Sequence, residues 1–466
     1  CWLAALLVAA TAAAPDAQGS GWTPPAKIFA VTQGAVNRVA IVANSFGRLY
    51  ALWDLNYFDA KDGKLESIEY WISRWDGQSW SKPVNVLFAP YISRVSVLAD
   101  EHNEFHVFYM GTQGCLNYLW VRDADMLSPA AWSKPRCIDH GGQSNISAAM
   151  DTASPTMCVV RIEPDAEGVR VLCSANYGAT WKSGRPISAP DSQVNNALPS
   201  IAFGRHGRLH LAWSPATAPS GYPLLGVLYS YSDDLGQNWS KISTLGVAKE
   251  GDPRVVTSDQ YVYVVWSGDA AKRGRYVQFS ADDGETWAPR QTVVPPAPDG
   301  KGGLQGPPPL VIDNAREAHV ILHDQDVLTY RRKSVATNQW SPPTQLYIPG
   351  QGGVGGEIFW PVATVYNGNE LHLLFALSEI GVFHQKLNLT ASYEAPQPMP
   401  SPAPLSVNTR PALSPTPADA PRGSVVSGDP PPDPNAFSQQ NVPLVAALLP
   451  VVALIGVLLL ARLVRR

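Results

Sequence analysis

Along most of the chain, short apolar runs alternate with polar turns at a period of two, the signature of half-buried strands rather than helices. One run recurs in recognisable form: Leu49-Tyr-Ala-Leu-Trp53, Phe105-His-Val-Phe-Tyr109, Met157-Cys-Val-Val-Arg161 and Leu209-His-Leu-Ala-Trp213. Val262-Tyr-Val-Val-Trp266, Ala318-His-Val-Ile-Leu322 and Leu371-His-Leu-Leu-Phe375 complete seven copies. A tryptophan that opens a further strand recurs at 22, 80, 132, 181, 239, 287 and 340, with gaps of 48 to 58 residues. Spacing of that size is a blade period, with four strands to each blade of a propeller. Five of these tryptophans are soon followed by proline, which suits an outermost strand where no ladder donor is needed.

The seventh run has no tryptophan strand after it, while Trp22-Thr-Pro-Pro-Ala-Lys-Ile-Phe29 has no blade before it. The N-terminal segment is therefore expected to supply the outer strand of the last blade. That exchange closes the ring and leaves no open edge. The fold class read from the chain is all-β: a propeller over residues 20–390 with four-stranded blades, seven in number, six being the alternative.

The turns before three of the tryptophans share an octet. It reads Ser174, Asn176, Gly178, Trp181 in one copy, Ser232, Asp234, Gly236, Trp239 in the next and Ser280, Asp282, Gly284, Trp287 in the third. A worn copy runs from Ser73 to Trp80. The acid or amide can accept hydrogen bonds from turn amides, and glycine can take a positive φ. The tryptophan can pack its ring on the blade. This S-x-D-x-G-x-x-W pattern resembles the Asp-box, or BNR repeat, of the sialidase-like β-propeller family. The octet lies in a structural turn, so it speaks for fold rather than activity.

Forty-five per cent hydrophobic residues in a chain of 466 are ample for a large core, and 42 prolines with 37 glycines fit many turns. A net charge of −4 gives no polycationic footprint for nucleic acid. Residues 1–17 read as a truncated signal peptide. Residues 391–441, with thirteen prolines, read as an extended linker. Residues 442–461 carry no charge and are long enough to span a bilayer as one helix. The basic tail 462–466 then places the C-terminus in the cytoplasm and the propeller outside the cell membrane. Export would permit disulfides among Cys115, Cys137, Cys158 and Cys173, the first two and the last two each symmetric about a hairpin turn; four free buried thiols are the alternative.

In a four-stranded blade the loop between second and third strands shares a face with the loop joining blades, and ligands of propellers meet that face near the channel. The candidate ligand-binding residues there are Arg38, Asp54, Asp59, Arg94, Arg254 and Glu357. The family resemblance implies three arginines on a substrate carboxylate, a tyrosine–glutamate nucleophile and an aspartic acid as acid/base. Arg38 matches the arginine of the family's Arg-Ile-Pro signature, although Val39-Ala40 replaces Ile-Pro. Asp54 or Asp59 would then stand for the acid, and no tyrosine is assigned beyond Tyr366 as a guess. The histidines at 106, 210, 319 and 372 fall in different blades, and Asp233, Asp234, Asp282 and Asp283 fall in turns. Neither set is assigned a metal, and no cofactor is called for. The favoured function is a membrane-anchored module that binds a glycan or surface protein without catalysis. The alternatives are an exo-sialidase-type glycoside hydrolase and an assembly or scaffold factor.

Overall fold

The computed structural model describes residues 21–395 except 60, 62, 90–94, 112–113, 142–144, 164–167, 192–193, 218–222, 269–273, 296–307, 325–326 and 347–357. The chain divides into a compact unit ending at Pro398 and a second unit, Met399–Arg466. The second unit, which holds the apolar segment 442–461, lies outside the described residues, as does the leader. Among the described residues, no helix is long and apolar enough to cross a membrane.

The described strands form seven four-stranded antiparallel sheets, each built from chain neighbours except the last. Blade one holds β2 (Val39–Ala43), β3 (Leu49–Phe58), β4 (Leu65–Trp75) and β5 (Val84–Ala89). Blade two holds β6 (Val95–Ala99), β7 (Glu104–Met110), β8 (Leu116–Arg122) and β9 (Arg136–Asp139). Blade three follows with β10 (Ser147–Met150), β11 (Met157–Ile162), β12 (Val169–Ser174) and β13 (Lys182–Ser183). Blade four has β14 (Val194–Phe203), β15 (Leu209–Thr217), β16 (Val227–Ser232) and β17 (Ser243–Gly246). Blade five has β18 (Gly251–Ser258), β19 (Tyr261–Ser267), β20 (Arg275–Ser280) and β21 (Gln291–Val294). Blade six has β22 (Leu310–Ile312), β23 (Ala318–Asp324), β24 (Val327–Lys333) and β25 (Thr344–Leu346). Blade seven takes β26 (Ile358–Tyr366), β27 (Glu370–Leu377) and β28 (Gly381–Asn388) from the end of the chain and β1 (Ala26–Ala30) from its start.

The recurrent apolar runs are the second strands, buried on both faces because each is flanked by blades on either side. Ring closure is antiparallel, pairing Ala26 with His384 and Ala30 with Gly381. The closing strand is shorter than its sequence pattern suggests, since Trp22 joins only through an isolated bridge to Leu387. Pro24 and Pro25 lack the amide protons that a continuous ladder would use. Trp22 packs edge-on against Tyr330, 5.4 Å between ring centres, so the strand also brings an aromatic anchor to blade six.

The octets are the turns between third and fourth strands. In the Asp282 copy, Ser280 Oγ donates to Asp282 Oδ1 (2.6 Å) and accepts from Gly284 N (2.9 Å), while Thr286 N donates to Asp282 Oδ1 (2.8 Å). Asp234 and Asn176 accept from Asn238 N and Thr180 N in the same geometry. The glycines have φ of +78° to +85°. Their second role is packing between blades: a Cβ on Gly178 would overlap the hydroxyl of Tyr118, one on Gly284 that of Tyr229, and one on Gly236 the side chain of Val171. Each glycine thus presses its bare backbone onto the third strand of the preceding blade. Blade two has short 3-10 helices (Asp123–Asp125 and Pro129–Ala131) in place of the octet.

The histidines sit one position along the second strands and bond across to the third. His106, His210 and His319 Nδ1 lie 2.8, 2.6 and 2.8 Å from the hydroxyls of Tyr118, Tyr229 and Tyr330. Their Nε2 atoms face Asp100, Asp283 and Asp313 at 3.2–3.3 Å. In blade three that position is Cys158, which is disulfide-bonded to its register partner Cys173, Cα atoms 4.1 Å apart. Cys115 and Cys137 are likewise joined. In blade seven His372 hydrogen-bonds His384 (2.9 Å), which lies against Trp75 and Trp80 of blade one.

Gly77 and Gly284 separate backbone conformation from packing, since both have positive φ but a Cβ on Gly77 would meet nothing within 4 Å. Gly77→Ala should cost about 1 kcal/mol for the left-handed conformation, and Gly284→Ala at least ~2 kcal/mol more for overlap with Tyr229. Urea-unfolding midpoints of the two variants check this; equal losses would refute the packing role. A second expectation concerns pH. Burial, then the charges of His372 and Lys386, depress His384 from 6.5 to about 3. Its contribution is therefore full above the unfolded pKa and is lost as pH falls from 6.5 towards 3, roughly 2 kcal/mol being gone by pH 5. His384→Phe should visibly flatten the fall in melting temperature between pH 7 and pH 5.

Candidate functional site

Arg38 and Asp54 meet at the start of blade one. Asp54 ends the apolar run of β3, and its Oδ1 accepts from Asn37 N (2.9 Å) and Arg38 N (2.8 Å). Asp54 N donates back to Arg38 O (3.2 Å). These bonds tie the segment entering β2 to the second strand. Asp54 is only 3% exposed. Burial raises its carboxyl pKa, opposed by the amide hydrogen bonds and by the Arg38 charge.

Register places Tyr70 of β4 opposite Asp54. Burial pushes the Tyr70 hydroxyl far up, the Asp54 charge adds to this and Arg38 opposes it; Tyr109 of blade two is close enough to contribute too. The arrangement therefore combines a guanidinium, a buried carboxyl and two phenols across blades one and two. Sequence reasoning missed both tyrosines. Tyr109 nevertheless occupies the fifth place of the recurrent run, with Trp53, Arg161, Trp213 and Trp266 as counterparts, so the repeat alignment held a usable signal. Tyr70 needed the hairpin register.

The other candidates do not join this group in the described structure. Asp59 closes the β3–β4 turn, its Oδ1 accepting from Lys61 N (2.6 Å) and its backbone pairing with Gly63 and Lys64. Arg254 lies half-buried on β18, whose inner-strand neighbours are β14 and β22, whereas β2 lies between β6 and β26. Burial lowers the Arg254 guanidinium pKa. Arg94 and Glu357 lie outside the described residues. Tyr366 is on blade seven, donating to Gly47 O.

Two further polar groups occupy blade ends. Arg161 Nε bonds Asp139 Oδ2 (2.5 Å) and its Nη1 lies 3.3 Å from Glu163, which also pairs with Arg170. Glu250 Oε2 accepts from Trp266 Nε1 (2.9 Å) while Oε1 binds Arg290 (2.6 Å). Both groups are internally neutralised. Cys115, Cys137 and His140 also cluster, but the two sulfurs are bonded to each other and offer no thiolates to a metal.

No protein-family model matches the sequence, and no curated protein matches it. Among solved structures, a lectin of Burkholderia pseudomallei is similar with a TM-score of 0.53 and 17% identity, over 78% of this chain and 99% of the lectin. An α-L-arabinanase of Penicillium chrysogenum gives 0.44 and 13% identity over 79% and 98%. The NanB sialidase of Streptococcus pneumoniae gives 0.42 and 14% identity over 78% and 71%. Sheet order, the octet turns and the likeness to the lectin agree: the chain has a sialidase-like β-propeller fold.

Proposed function

We propose that this chain is a glycan-binding propeller that does not hydrolyse its ligand, displayed outside a membrane by the apolar segment 442–461. The observation that carries the reading is the state of Asp54. A glycosidase acid must reach the leaving oxygen and exchange its proton with solvent. Asp54 is sealed, with one oxygen already holding two backbone amides. Binding makes no such demand. A guanidinium suffices to hold a sugar carboxylate, and Arg38, half-buried beside Asp54, supplies one. A lectin with the same fold is consistent with this reading. Anchoring rests on the twenty uncharged residues and the arginines after them.

The purified full chain should bind glycans on an array and release no fluorophore from a sialoside. Arg38→Ala should weaken glycan binding roughly tenfold or more, about 1.4 kcal/mol, while the chain stays folded. Sialoside turnover that disappears with Arg38→Ala would instead establish the hydrolase, and binding only to surface proteins would remove the glycan. The structural role of Asp54 has its own check. Asp54→Asn keeps an acceptor for both amides and should stay within ~1 kcal/mol of wild type, whereas Asp54→Ala leaves two buried donors unmet at about 1–3 kcal/mol each. Comparable unfolding midpoints for the two variants would contradict the sealed-carboxyl account.

A further inference from the structure

Blade six departs from the octet pattern on both sides of its contact with blade five. The residue facing the start of the second strand is Ser174, Ser232 or Ser280 in the octet blades, but Lys333 in blade six, opposite Ala318. Val335 stands where the octet has its acid and Thr337 where it has glycine, although Trp340 keeps its place. On the facing blade, Tyr263 occupies the position that is histidine in blades two, four and six, and Val277 occupies that of their tyrosines. The histidine–tyrosine pair and the glycine contact are thus both replaced here.

What stands there instead is a cleft of about 180 Å³ lined by Tyr261, Tyr263, Phe279, Arg316, Lys333 and Asn338 among others. Lys333 is 4% exposed, with its ammonium 4.0 Å from the Phe279 ring centre and 5.4 Å from that of Tyr263. Among the described residues, no carboxylate pairs with that ammonium and no acceptor hydrogen-bonds it. Arg316 at the rim is held by Asp259 (2.7 Å). A mostly buried cation beside two rings and without a bound carboxylate recovers only part of its lost hydration from the ring quadrupoles, and an anion would recover more.

We propose that the Lys333 cleft is a binding site for a small organic carboxylate, its charge on the Lys333 ammonium and its apolar body against Tyr261 and Tyr263. Burial lowers Lys333 to about 8, which agrees with an ammonium that lacks its counter-charge. The volume suits a single ring bearing one acid group rather than a polymer. This cleft lies between blades five and six, on residues separate from the Arg38 group, so it stands or falls independently of glycan binding there.

Benzoate is a suitable probe, with benzylamine as the matched cation, measured by equilibrium dialysis against the full chain. Saturable benzoate binding, absent for benzylamine, is expected. Lys333→Met, which keeps the apolar stem, should weaken benzoate at least tenfold, Lys333→Arg should recover most of the affinity, and Tyr263→Leu should reduce it several-fold. Melting temperatures identify any variant that fails to fold, and Lys333→Arg then carries the comparison. No saturable benzoate binding, equal binding of benzylamine, or binding indifferent to Lys333→Met would each overturn the proposal.

Discussion

The structure depends on contact between successive blades at the octet turns. A blade alone is a small twisted sheet with both faces apolar, and it becomes stable only by burying each face against a neighbour. Where the octet is intact, the glycine lets the turn of one blade rest directly on the third strand of the blade before it, on Tyr118, Val171 or Tyr229. The tryptophan then covers the join, as Trp181 covers Tyr118 and Trp287 covers Tyr229. The serine and acid satisfy the turn's own amides, so this close approach leaves few polar groups unpaired.

The same contact gives three of the histidines a structural place. His106, His210 and His319 are each fixed between a tyrosine hydroxyl of their own blade and a carboxylate, which brings a polar network to three of the blades. The join tolerates substitution where shape is kept: a disulfide serves blade three, and paired histidines serve blade seven. Between blades five and six both partners differ, and the volume they would have filled is open.

Local patterns were legible in the sequence because they are written in adjacent residues. The second strands, the octets and their place between third and fourth strands, and the origin of the closing strand all follow from spacing alone. Ligand chemistry was legible only in part. Arg38 and Asp54 were each legible as candidates, but the sequestration of Asp54 was not, because burial depends on what packs above it. Arg254 looked equivalent to Arg38 by its place at a blade entry, yet its inner strand has other neighbours. Nothing in the sequence pattern singles out Lys333. Its isolation appears only when the missing tyrosine and histidine of the preceding blade are set beside it.

Strand β1 pairs with β28, whose first residue, Gly381, lies 351 positions after Ala30 in the chain (381 − 30). On a ribosome moving at ~5–20 residues per second, β1 is made and then waits roughly 20–70 s for its partner. During that interval the earlier blades can form from neighbouring strands, while β1 remains a short segment with an unsatisfied ladder. Its five residues and the two prolines just before them make such a segment a poor template for wrong pairing. The order of synthesis therefore sets a minimum time for which the ring stays open, whatever the stability of the individual blades.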